Sequence, residues 1–292
     1  MTDLVLDVTL CLLLVSASVG VVVTADEGRL AGADTSLDAD GIATSLSTST
    51  ATVHYDLEPG VNAADPSLLD DGGVDARELD RTAHGSLAGL LSRATLGAVS
   101  VDGVRLTHAR DDMRRTVADR VASELPARGV NVAIRWTPYP GAPIQATDSL
   151  GPRPPETATV HAASLRVPSG FPSAREDALA ASDDGFDAVA RVVANRTVAG
   201  LFPPELARLA LHGDEPVSTL MAHRYERAGV LLNASVEPEV ANAETRAANA
   251  DLEAALAPRL EADMRAEYDT PRDAAQAVSV GHVDIVVRTW SL

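Results

Sequence analysis

Seven histidines, one cysteine and several adjacent carboxylates are the groups in this sequence that could do chemistry. A metal centre needs three or four such ligands at spacings that a fold can bring together. His54, His84, His108, His161, His212, His223 and His282 lie far apart in sequence, and no HExxH pair occurs. Cys11 is alone, so no intrachain disulfide or thiolate cluster can form. It falls in an apolar run and reads as a small apolar residue. Asp38-Ala39-Asp40-Gly41 has the spacing of the middle of a calcium loop, but position 12 counted from Asp38 is Ser49, where such a loop needs Glu. His84-Gly85-Ser86 resembles a fragment of a hydrolase loop. No GxSxG elbow accompanies it, and the flanking Ala and Leu predict a helix, so it reads as packing. Neither GxxxxGK[ST] nor GxGxxG is present to cradle a phosphate. The pairs Asp70–Asp71, Asp111–Asp112 and Asp183–Asp184 read as acidic surface. The residue types and spacings thus assign no catalytic, cofactor-binding or metal-ligating residue and no cofactor, and they favour a protein that is not an enzyme.

The charge balance is more informative. All 24 basic residues are Arg, none is Lys, and 42 Asp and Glu set the net charge at −18. That excess destabilises a compact fold by self-repulsion. In molar salt the Debye length shrinks to about 3 Å and the repulsion is screened. GC-rich codon usage accounts for missing Lys but not for the surplus of carboxylates, so the composition points to a halophilic source. It argues against nucleic acid, which needs a basic face to displace counterions, and against docking on acidic lipid. With 3% aromatics the core must be built from Val, Leu and Ala.

Residues 4–25, LVLDVTLCLLLVSASVGVVVTA, carry no charge from Val8 to Ala25. Those 18 positions make about 27 Å of helix, close to a bilayer core of about 30 Å. Two readings compete: a retained anchor, or a signal peptide cut after Val23-Thr24-Ala25. A signal peptide has a basic n-region; this one holds Asp3 and Asp7 and no Arg. The anchor is therefore preferred, with the lipid bilayer as partner through residues 4–25. Arg29, the first basic residue, favours a cytoplasmic C-terminal part. The sequons Asn195-Arg196-Thr197 and Asn233-Ala234-Ser235 favour an outside location. The expectation is a single-pass protein of the cell membrane with its C-terminal domain outside, and Asn195 as the better glycan acceptor because it lies opposite its helix's apolar stripe.

Three segments follow: an anchor over 1–25, a juxtamembrane linker over 26–45, and an acidic domain over 46–292 with a subdivision near 138–156. Alternation predicts strands over 47–56, 130–137, 157–167 and 278–290. Asp102-Gly103 predicts a hairpin turn within 99–107. Apolar spacing predicts helices over 77–96, 110–125, 186–197, 204–211, 216–228 and 240–268, the last kinking or restarting at Pro258. Residues 59–73 and the six-proline stretch 138–155 read as loops. Asn131–Thr137 and Val283–Trp290 echo one another and are expected as neighbouring central strands. The fold class is α+β: an N-terminal transmembrane helix, then an α+β ectodomain with an antiparallel or mixed sheet.

Three features together carry a resemblance: Asp7 at the head of the apolar run, the Ser/Thr-rich strand STSTATVHYD at Ser47–Asp56, and RTAHGSLAGLLSRATLGAVSVDG at Arg81–Gly103. With these the chain resembles uncharacterised haloarchaeal membrane-anchored, pilin-like proteins associated with type IV pilus (Tad-like) systems. The resemblance spans about a third of the chain and implies no catalytic role. It implies pilus or cell-envelope proteins as partners, and for Asp7 a pairing with a neighbouring subunit's terminal amine. The sequence departs from the pilin pattern in having no basic, glycine-ended leader before the apolar run. The alternatives are a solute-binding or sensor ectodomain and a membrane-tethered hydrolase.

Overall fold

The structure is a computed structural model and describes residues 22–25, 38–70, 73–126 and 128–291. Along the chain the strands are β1 (Val22–Ala25), β2 (Thr50–Asp56), β3 (Asp80–Ser86), β4 (Ser100–Val101), β5 (Val104–Arg105), β6 (Val130–Trp136), β7 (Ile144–Leu150), β8 (Val160–Pro168) and β9 (His282–Trp290). The helices are α1 (Ala39–Thr48), α2 (Glu58–Ala64), α3 (Ala76–Leu79), α4 (Leu87–Leu96), α5 (Asp111–Ala122), α6 (Arg175–Ala181), α7 (Phe186–Leu201), α8 (Pro204–Leu211), α9 (Val217–Leu232), α10 (Glu237–Ala241), α11 (Thr245–Glu267) and α12 (Pro271–Ala277).

Seven strands form one antiparallel sheet in the order β1-β8-β9-β6-β7-β4-β5, while β2 and β3 pair separately. This is the α+β fold with antiparallel sheets that the alternation predicted. The echoing segments are indeed adjacent and central, paired from Val130↔Thr289 to Arg135↔Asp284. Period-2 spacing explains their burial. Val130, Val132, Ile134 and Trp136 on β6 point inward with Val283, Ile285 and Val287 on β9. Arg135 and Arg166 lie outward, both in register with Asp284. Helices α1 and α4 cover the inner face with Leu46, Leu87, Leu90 and Leu91. Each leucine buried this fully contributes about 1.5–3 kcal/mol. The Asp102-Gly103 turn joins β4 and β5 with positive φ at both residues (49° and 80°), as a two-residue hairpin of this hand requires.

A helical lobe packs where β6 leaves the sheet and β9 enters it. Trp136 Nε1 donates to Val280 O (2.8 Å), Ser279 N to Pro138 O (2.7 Å), and Tyr268 OH to Pro140 O (3.3 Å). Its backbone is the pair α7 and α11, with Ala248, Leu252, Leu256, Leu260 and Met264 of α11 buried at i+4 spacing. Gly200 on α7 has no room for a side chain: a Cβ there would sit 2.2 Å from the Phe171 ring. That ring in turn packs edge-on against Trp136 at 5.1 Å.

Several boundaries differ from those expected. Residues 77–96 are not one helix. Leucine spacing is helical only from Leu87; before it, Thr82 and His84 alternate outward around Ala83, and seven residues pair with β2. The stretch 138–155 contains β7, because its prolines flank Ile144–Leu150 and none falls inside. Residues 59–73 hold α2 and a 3₁₀ turn at Pro66–Leu69, with Pro59 in the first turn of α2, where a missing N–H costs nothing. Helix α11 runs uninterrupted through Pro258, which lies on its exposed side. Helix α1 begins at Ala39, inside the segment expected as linker.

Residues 4–21 of the expected anchor, with Asp7 and Cys11, lie outside the described residues. Its last four, Val22–Ala25, pair as a strand with β8 from Val22↔Arg166 to Ala25↔Ala163. Among the described residues no helix is long and apolar enough to cross a membrane.

Candidate functional site

Two of the histidines form a polar ladder on the exposed face of the β2–β3 pair. The register sets Thr52 opposite His84 and His54 opposite Thr82, so Thr-x-His on one strand meets Thr-x-His on the other. Thr52 Oγ1 lies 3.0 Å from His84 Nδ1 and Thr82 Oγ1 lies 3.1 Å from His54 Nδ1. A hydroxyl both donates and accepts, so it fixes the ring without fixing its tautomer. His84-Gly85-Ser86 is thus the end of a strand, and the Ser86 hydroxyl caps α4 by accepting from Gly89 N (3.1 Å). Asp38, from the calcium-like segment, caps α1 by accepting from Asp40 N (3.1 Å). Among the described residues no group of three or more His, Cys, Asp or Glu is placed to hold a metal ion.

The carboxylate pair Asp111–Asp112 is more than acidic surface. Asp111 pairs with Arg105 and with His108 Nδ1 (2.9 Å). Asp112 accepts from Asp56 N (2.9 Å), which ties α5 to β2. Both occupy the first turn of α5, where negative charge is favoured by the helix dipole.

The two sequons exchange rank. Asn195 lies in a groove between α7 and α11, and its amide donates to Glu253 Oε2 (3.1 Å). Thr197 of that sequon is fully buried. Asn233 is exposed, caps α9 in the left-handed region (φ 59°), and holds its sequon on a surface turn.

Arginines and histidines on α9 lie near the segment leading into α5. Arg227 Nη2 donates to Arg105 O (3.4 Å). The Arg224 guanidinium lies 5.2 Å over the Phe202 ring, and its Nε is buried with no hydrogen-bond partner. Burial, then the positive charge of Arg110, pulls Arg224 down to about 10. Burial also lowers His223; Glu226 opposes this, and the charges of Arg227 and His108 add to it.

The chain belongs to DUF7284, a family of unknown function. The match covers residues 6–290, taking in the apolar run and the α+β domain together. No match is found among curated proteins or solved structures. In this DUF7284 member, two arrangements leave little trace in the sequence: the Thr–His ladder and the contact of Arg227 with Arg105 O. The first was legible as Thr-x-His repeated at Thr52–His54 and Thr82–His84. It went unread because the second copy was assigned to a helix. The second joins residues more than a hundred positions apart and leaves no local pattern.

Proposed function

We propose that this DUF7284 protein is a membrane-anchored, non-enzymatic structural component of the surface or pilus apparatus of a halophilic archaeon, with its α+β domain outside the cell. The observation that carries this reading is the charge-free run Val8–Ala25 behind an acidic N-tail. Val22–Ala25 of that run pair with β8, so its charge-free part ahead of the sheet is Val8–Val21, 14 residues or about 21 Å of helix, and a span of a bilayer core of about 30 Å draws in Leu4–Asp7 as well. The pilin-like features at Asp7, Ser47–Asp56 and Arg81–Gly103 support pilus or envelope proteins as partners. An excess of 42 acidic over 24 basic residues supports a high-salt setting. A second reading, a solute-binding or sensor ectodomain, is favoured by one observation: the buried Nε of Arg224, which has no hydrogen-bond partner.

Carbonate extraction of source-cell membranes tests the anchor. The protein should stay with the membrane and keep residues 4–21; a soluble protein whose mature N-terminus is Asp26 refutes it. Affinity purification from those membranes in high salt tests the structural role. Co-purification of pilins or a pilus ATPase supports it, and recovery of the protein alone with a bound small molecule favours the sensor reading.

A further inference from the structure

An N-glycan acceptor must offer two groups at once: the Asn amide and the hydroxyl two residues on. The structure treats the two sequons differently. In α7 each residue turns the helix by about 100°, so positions two apart face opposite sides. Asn195 is therefore exposed while Thr197 is fully buried. The Asn195 amide is also spent, donating to Glu253 Oε2 (3.1 Å) on α11. A sugar on Asn195 would break that bond and lie in the groove between the two helices.

Asn233 stands where the chain leaves α9. Its backbone is left-handed (φ 59°, ψ 46°), and Ala234 N donates back to Gly229 O (2.8 Å), which stops the helix. Asn tolerates that conformation where most residues do not. Asn233 and Ser235 are both exposed, on a turn that ends where α10 begins at Glu237. Side-chain hydrogen bonds in the turn run from Ser235 Oγ (3.3 Å) and Val236 N (3.1 Å) to Glu237 Oε2 and do not involve the Asn233 amide. The Ser235 bond is long and joins two exposed groups, so the hydroxyl is readily freed. A second observation falls beside the first. Val230, three residues back and so a neighbour on the helix surface, is 70% exposed. Such a bare aliphatic side chain is a surface on which the apolar face of a sugar ring can rest.

We propose that Asn233 is an N-glycan acceptor and that Asn195 stays unmodified. The donor class is a lipid-linked sugar phosphate, used by a membrane-bound transferase. Asn233 Nδ2 forms a bond to C1 of the sugar as the bond from C1 to the phosphate oxygen breaks. The lipid phosphate leaves with that electron pair, and Nδ2 gives up one proton. Nothing is oxidised or reduced. The inference rests on the reading that the α+β domain lies outside the cell, and it adds to that reading a covalent modification at one defined turn.

The test is peptide mass spectrometry of the full chain purified from source-cell membranes in molar KCl. Cleavage after Arg places the sequons on separate peptides, Val192–Arg196 and Ala228–Arg246. The second should carry the added mass of one or more sugar residues, and the first none. Ser235→Ala should abolish that mass and Ser235→Thr should keep it, because the transferase reads the hydroxyl. Asn233→Gly should also abolish it, and since Gly accepts the left-handed turn this variant should still fold. Antibody labelling of intact cells, raised against the α+β domain, reads the location separately. A bare Asn233 on labelled cells overturns the acceptor site and leaves the outside location standing. A bare Asn233 on unlabelled cells overturns both. Sugar mass on Val192–Arg196 overturns the assignment between the two sequons.

Discussion

Asn249 is the residue whose removal should tell most about how the helical lobe is held. It lies on α11, 4% exposed, between two other helices. Its Nδ2 donates to Phe202 O at the end of α7 (2.8 Å), and its Oδ1 accepts from Tyr225 OH on α9 (2.9 Å). Burial raises the Tyr225 hydroxyl above its ordinary range, with Arg224 opposing, so it stays a neutral donor. Asn249→Ala strips both partners at once. Each buried group left unpaired costs about 1–3 kcal/mol, so the variant should lose about 2–5 kcal/mol. Tyr225→Phe alone should cost about 1 kcal/mol, since one partner is lost and Asn249 Oδ1 is left unpaired. In the Asn249→Ala background the hydroxyl is already orphaned, so removing it should cost nothing. The two substitutions should therefore couple by about 1 kcal/mol. Urea unfolding in molar KCl, followed by far-ultraviolet circular dichroism, measures all four corners of the cycle. A loss below about 0.5 kcal/mol for Asn249→Ala, or strict additivity with Tyr225→Phe, would refute the bridge.

Pro258→Ala should stabilise the protein by about 1–3 kcal/mol, because it restores an N–H to α11 at an exposed position; unfolding midpoints check this, and a destabilised variant would contradict it. The chain should lose helix and strand signal as KCl falls below about 0.5 M, and equal dichroism in fresh buffer would remove charge repulsion as the governing term. Burial first, then the charges of Arg166 and Arg175, lowers His282, with Asp284 opposing. The folded state thus prefers neutral imidazole. Stability should be full above the ordinary value of 6.5 and decline as pH falls through it, and His282→Asn should flatten that decline in pH-resolved melts.

What the sequence revealed was what repeats at short period. β6 and β9 alternate cleanly because one face of the sheet is buried and the other wet. The i+4 stripe of Met113, Val117 and Val121 marks α5 for the same reason. What it hid was set by distant partners. β3 contains Gly85 and a single inward Ala83, and becomes a strand because β2 lies beside it. β7 is short and flanked by proline, and is held by β6 and β4. Pro258 suggests a break, yet the buried stripe from Ala248 to Met264 holds α11 on α7 regardless. At the candidate site, sequence reading could test motifs only. The contact of Arg227 with Arg105 O has no motif, because its two partners lie more than a hundred residues apart.

The position of β9 has a consequence for how the molecule is made. It is the last strand of the chain, yet it lies between β8 and β6 rather than at an edge. Until His282–Trp290 leaves the ribosome, β8 and β6 face a gap, and the inner-face residues of both strands lack the row of Val283, Ile285 and Val287 between them. Vectorial synthesis therefore delivers β1 to β8 before the sheet can close around β9. The centre of the sheet is thus closed by pairings of long sequence separation, Val130 with Thr289 among them, and these set a slow folding step that the local helices do not share.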